Sequence, residues 1–163
     1  MNVALPGTSR AGRWTRALGF VSLGVACGAA VELSLRHLGA PLLPGCTLDS
    51  PCARALSGPF GTLPWIEWPL AFVGASAFGG LLAAWSFARG GWPRSLVWVT
   101  RAGGLASLAL LGVAVQQGTP CPYCITAQLA NLAFVACSER ARGPGRARRP
   151  ELAFALAFAL STA

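Results

Sequence analysis

Gly118-Thr119-Pro120-Cys121-Pro122-Tyr123-Cys124-Ile125-Thr126-Ala127-Gln128 sets a Cys-x-x-Cys pair where an apolar run restarts. With Cys121 at the N-cap of a helix, Pro122 falls at the first helical position, where a missing N–H costs nothing, and Cys124 stands one turn in. Both sulfurs then lie at the positive end of the helix. That setting favours thiolate over thiol, and thiolate is the form that attacks disulfides and electron-poor carbon.

The surroundings narrow the reading. Cys-Pro-Tyr-Cys also fits a soluble glutaredoxin-like site, but that needs a preceding strand, and residues 105–115 are an apolar run rich in Leu and Ala. A four-cysteine zinc site built with the other close pair, Cys46 and Cys52, has compatible ligand chemistry, and a static disulfide is the other inert reading. The expectation here is a reactive pair and no metal.

A chain of 163 residues with 54% apolar and 11% charged residues, and a mean hydropathy of +0.56, is far from an average soluble domain, which carries about 25% charged residues. It reads as an integral membrane protein, with room for four or five spans of about 20 residues. All thirteen basic residues are Arg, against five acids, for a formal charge of +8. Taken alone, that balance points to nucleic acid. The arginines, however, cluster in the short segments between apolar runs, as the positive-inside rule requires, so the expected partner is the lipid bilayer and not nucleic acid.

Residues 1–16, with Arg10, Arg13 and Arg16, read as a basic cytoplasmic tail. The run from Ala17 to about Leu35 is long enough to cross a bilayer of ~30 Å at ~1.5 Å per residue. Gly24-Val25-Ala26-Cys27 loosely resembles a lipoprotein cleavage site, but the run continues past it. Ser22, Ala26 and Ala30, four residues apart, suit close helix packing in a retained span. Residues 36–64 hold five Pro and four Gly and form a long outer loop with one short helix near Cys52 to Leu56. Cys46 and Cys52 can close a disulfide if this chain turns at Asp49 and Pro51.

A second span from about Trp65 to Ala88 opens with Trp65 and Trp68, aromatic residues suited to the membrane interface, beside Glu67. A basic turn at 89–94 leads to a third span, from about Ser95 to Gln117. The Cys121 motif opens a fourth, ending near Cys137. A basic linker at 139–150 precedes the apolar residues 151–163, about 20 Å of helix and too short to cross alone. They are expected to begin a fifth helix that continues in a longer protein. Cys27 and Cys137, alone within apolar runs, read as inert packing residues.

Eleven of the thirteen arginines fall in the tail, in the 89–94 turn with Arg101 and in the linker after 138, whereas the cysteine loop holds only Arg36 and Arg54. The N-terminus is therefore expected in the cytoplasm. With four spans between these segments, the Cys46–Cys52 loop and the Cys121-x-x-Cys124 turn both emerge on the outer face, where disulfides persist. Two adjacent pairs of this kind support a relay through mixed disulfides: the loop pair reaches a soluble partner and the helix pair a lipid-dissolved oxidant. Gln128, four residues on from Cys124, shares its helical face and has an amide suited to a ring carbonyl; Asn131 extends the polar stripe. Interhelical hydrogen bonding is the plainer use of both.

The order of a loop pair followed by a Cys-x-x-Cys at the fourth helix, together with Cys52-Ala53-Arg54-Ala55-Leu56-Ser57-Gly58-Pro59-Phe60-Gly61 and Trp68-Pro69-Leu70-Ala71-Phe72-Val73-Gly74, resembles the bacterial branch of the vitamin K epoxide reductase family over about residues 17–138. The resemblance implies an all-α integral membrane fold, a four-helix bundle around a quinone (ubiquinone or menaquinone), capped by the outer loop. It implies that Cys46 faces a thioredoxin-like partner or fused domain, that Cys52 exchanges with Cys121, and that Cys124 is the sulfur beside the quinone. Ser57, Phe60, Trp65 and Trp68 join Gln128 and Asn131 as candidate quinone contacts. Gly58 stands where members of the family often carry a second small hydroxyl residue. Gln128 stands where animal members place Tyr, so a plain quinone is favoured over vitamin K epoxide as substrate. The expected activity is quinone-linked thiol oxidation in the bacterial inner membrane, supporting disulfide formation outside the cytoplasm.

Overall fold

The structure is a computed structural model that describes residues 10–40, 50–58, 61–63, 67–88, 92–118, 120–141 and 154–159. Its elements are α1 (Arg10–His37), α2 (Pro51–Ser57), α3 (Leu70–Phe87), α4 (Arg94–Gln116) and α5 (Pro122–Arg140), with a further helical stretch at 154–159. No strand occurs among the described residues, where an isolated bridge pairs Thr62 with Pro69.

Three of these helices, over Gly12–His37, Leu70–Phe87 and Arg94–Gln116, are long and apolar enough to cross a membrane. The expectation of four spans is thus met for three. The fourth candidate, α5, has 19 residues, about 28 Å of helix, but Gln128 and Asn131 within it and Glu139 and Arg140 at its end dilute its apolar character. Of these, Gln128 and Asn131 face the site described below.

Two helix starts differ from the sequence reading, each for a visible reason. Residues 10–16 are helical, and the far end of α3 holds Arg16. The Arg16 guanidinium donates to the carbonyls of Ser86 (3.1 Å) and Ala88 (3.3 Å), and the Trp85 indole N–H donates back to the Arg16 carbonyl at 3.1 Å. The last carbonyls of a helix have no partner within it, and a cation there also complements the helix dipole. Gly19 makes the approach possible, since a Cβ there would stand 2.7 Å from the Trp85 ring.

Helix α3 begins at Leu70 and not at Trp65. Pro69 forces Trp68 away from helical angles. The preceding residues instead fold back, with the Leu63 N–H donating to the Trp68 carbonyl at 2.8 Å and Glu67 in the left-handed region at φ 53°. At the end of α4, Gly118 takes φ 60° beyond the capping Gln117, the position where glycine most often stops a helix.

Helix α1 is central: it packs against α3 and α5, and α5 packs in turn against α4, whereas α3 and α4 barely meet. The start of α1, the end of α3, the start of α4 and the end of α5 gather at one pole. Arg16 ties the first two, the Trp92 N–H donates to the Ala141 carbonyl at 3.0 Å, and Arg101 of α4 pairs with Glu139 of α5 at 2.8 Å.

The core grades from this pole to the other. Trp85, Trp92 and Phe134 meet edge to face, with centroids 5.1 to 5.8 Å apart, and Phe154 from the last helical stretch packs on the cluster they form with Leu23, Leu81, Leu96 and others. A middle layer of Ala26, Ala29, Ala30, Phe78 and Ala127 follows. At the opposite pole, Leu33 lies against Cys52 and Cys121.

Candidate functional site

Helix α2 carries Cys52 into the pole where α5 begins. Ser50 caps α2, its hydroxyl accepting from the Ala53 N–H at 3.3 Å, and Pro51 occupies the first turn. Beyond α2, the chain returns beneath it so closely that a Cβ at Gly61 would run into the Leu56 carbonyl. The Gly61 carbonyl in turn accepts from the Leu70 N–H at 2.9 Å, tying α2 to the start of α3.

Cys121 is the N-cap of α5, with Pro122 in the first turn. Its sulfur accepts from the Cys124 N–H at 3.4 Å and stands 2.7 Å from the Cys52 sulfur, where either sulfur can be the donor. Both sulfurs are shut off from solvent, Cys121 being 0% and Cys52 1% exposed. The Cys124 side chain also hydrogen-bonds Cys121. This contact, ahead of those from Cys52 and from the backbone of Cys124 and Tyr123, outweighs burial and draws the Cys121 thiol from its ordinary 9.0 down to about 6. These hydrogen bonds favour the thiolate form of Cys121.

Cys124 lines a cavity of about 220 Å³ that opens in the gap between α3 and α4. Its walls are apolar and often small: Ala30, Gly74, Ala77, Gly103 and Ala106 among them. The polar groups on its wall are Gln128, Asn131 and Ser107, and the Asn131 amide donates to the Ser107 hydroxyl at 2.8 Å. A smaller cavity of about 90 Å³ shares Cys124, Gln128, Ala55, Leu70 and Leu110 with the first. Neutral hydrogen-bonding groups on an apolar wall suit a flat, uncharged ring with carbonyl oxygens.

Among the sequence candidates, Cys52, Cys121, Cys124, Gln128 and Asn131 come together here. Ser57 is exposed and donates to its own helix at the Ala53 carbonyl (2.9 Å), and Trp68 is 41% exposed; neither lines a cavity described here. Cys46, Phe60 and Trp65 lie outside the described residues. Among the described residues, no group of three or more His, Cys, Asp or Glu side chains is arranged to hold a metal.

Sequence reasoning missed Ser107 and the small residues of the α3 and α4 walls. Ser107 carried no signal, since one serine in an apolar helix looks like any other. Gly74, Gly103 and Ala106 carried a weak one, as small residues that leave room between helices.

A sequence model of the vitamin K epoxide reductase family matches residues 13–138. No curated protein and no solved structure matches the chain.

Proposed function

The chain belongs to the vitamin K epoxide reductase family, and from that premise we propose that it is a quinone-dependent thiol-disulfide oxidoreductase of the bacterial inner membrane. Electrons enter at Cys46 from a reduced thioredoxin-like protein or fused domain, cross from the Cys46–Cys52 pair to the Cys121–Cys124 pair, and leave Cys124 for a quinone, so that disulfides form outside the cytoplasm. The observation that carries this reading is the 2.7 Å approach of Cys52 to Cys121 at the edge of an apolar cavity that Cys124 lines.

The exchange balances in two attacks. The Cys52 thiolate attacks Cys121 of a Cys121–Cys124 disulfide and expels Cys124; Cys46 then attacks Cys52 and expels Cys121. One dithiol has become a disulfide and one disulfide a dithiol. A sulfur of low pKa leaves faster, which gives the hydrogen bonds on Cys121 a use. A quinone in the cavity supplies the sink by accepting two electrons and two protons from the Cys121 and Cys124 thiols. Gln128, one turn beyond Cys124, offers its amide to a ring oxygen. In this reading α5 completes a four-helix bundle, and the arginine distribution sets the cysteine pole on the outer face.

The test is quinone reduction followed spectroscopically, with purified protein and a reduced thioredoxin-like donor. Cys124→Ala abolishes quinone reduction yet leaves Cys52 and Cys121 able to be trapped as a mixed disulfide. Cysteines that stay closed to alkylation with and without quinone and dithiol, or that open only to a chelator, exclude the relay.

A further inference from the structure

Hydroxyl groups buried in helices ordinarily donate to a carbonyl three or four residues back. Ser34 does so to Ala30 (2.8 Å), Thr100 to Val97 (2.9 Å) and Ser138 to Val135 (2.8 Å). Ser107 of α4 differs: its oxygen accepts from the Asn131 amide at 2.8 Å, and it makes no such bond to its own helix. Ser107 and Asn131 are each 2% exposed, and both line the cavity that holds Cys124 and Gln128. With its oxygen held from one side by Asn131, the Ser107 O–H has the cavity left to donate into.

The spacing along α5 sets two polar levels on one wall. Gln128 stands about 6 Å along the axis from Cys124, and Asn131, with the Ser107 hydroxyl it holds, about 4.5 Å further. The two para oxygens of a quinone ring are about 5 Å apart by ordinary bond lengths.

We infer that Ser107 is a substrate-binding residue, its hydroxyl donating to the ring oxygen remote from Cys124 while Gln128 holds the nearer one, and that Asn131 is the positioning residue that turns this hydroxyl into the cavity. The inference rests on the quinone reading of the same cavity and specifies its substrate class: rings with two para oxygens.

The experiment measures steady-state reduction of a short-chain benzoquinone by the full-length protein, with a thioredoxin-like donor in excess. Ser107→Ala raises the quinone KM about 2- to 13-fold, as expected for the loss of one neutral hydrogen bond, and shifts kcat less than about 2-fold. Ser107→Thr, which keeps the hydroxyl, restores the KM. Asn131→Ala raises the KM similarly, and the double variant is no worse than Ser107→Ala alone, because both changes remove one contact.

Inhibition by a hydroquinone and by the same ring lacking one hydroxyl separates ligand contact from mere packing. The native protein discriminates between them and Ser107→Ala does not. The yield of the Cys52–Cys121 cross-link reports that each variant is folded. An unchanged KM in a folded Ser107→Ala variant overturns the inference and leaves the quinone reading standing. Additive effects of the two substitutions overturn the role given to Asn131. A native protein that reduces no quinone overturns the reading on which both depend.

Discussion

The two poles of the bundle are built from opposite materials. At one, Trp85, Trp92 and Phe134 meet edge to face, Arg16 closes the end of α3, and Arg101 pairs with Glu139. At the other, the buried side chains are Leu33 and two cysteines, and next to them a cavity of about 220 Å³ opens where α3 and α4 barely meet. Large rings maximise contact area and hold helices in place; small side chains leave room for something else. The difference teaches that stability and chemistry are separated along the helix axis. The aromatic pole sets where α3, α4 and α5 stand, and the cysteine pole can then tolerate a void.

The comparison breaks if the aromatic pole proves dispensable. Phe134→Ala removes a ring with 0% exposure from the centre of the trio and is expected to cost about 3–5 kcal/mol, read as a fall in thermal midpoint. In the protein that remains folded, the Cys52–Cys121 cross-link still forms at the native yield. Loss of that cross-link at low temperature would mean the two poles are not independent.

A second, smaller effect sharpens the description of the cysteine pole. The Cys121 thiolate is held near pH 6 chiefly by the Cys124 side chain, so Cys124→Ala moves its titration up toward 9.0, measured as thiolate absorbance against a Cys121→Ser reference. The sign for stability follows from linkage. A thiol whose folded pKa is depressed favours the folded state in full above the ordinary value, and this contribution fades as pH falls and is gone below about 6. The reduced native protein thus gains stability from pH 6 to 9 relative to Cys121→Ser. An absence of such a gain would contradict the hydrogen-bond geometry.

The smallest expected effect is at the Arg101–Glu139 pair. Its side chains are 39% and 28% exposed, so solvent screens it, and Glu139→Gln should shift stability by less than about 1 kcal/mol. A larger loss would show that charge, and not ring packing, organises that pole.

Much of this was legible in the chain. The apolar runs located three helices able to span, and the Cys-x-x-Cys spacing located a helix start with Cys121 as its cap, because local sequence alone decides both. What escaped depends on partners far along the chain. Residues 10–16 read as a tail because the carbonyls that recruit Arg16 belong to residues 86 and 88. Hydropathy starts α3 too early because it sees Trp65 and Trp68, not the constraint Pro69 places on its predecessor. Gln128 and Asn131 form a stripe visible from their spacing, but the pairing of Asn131 with Ser107, 24 positions earlier, depends on the packing of α4 on α5.

The Arg16 clasp bears on how the molecule keeps its heading in a bilayer. A guanidinium seated on the final carbonyls of a neighbouring helix would have to carry its charge through hydrocarbon before the bundle turned over. Whichever leaflet that pole first occupies, the cost of moving that charge opposes inversion, and the thiols at the other pole keep to one side.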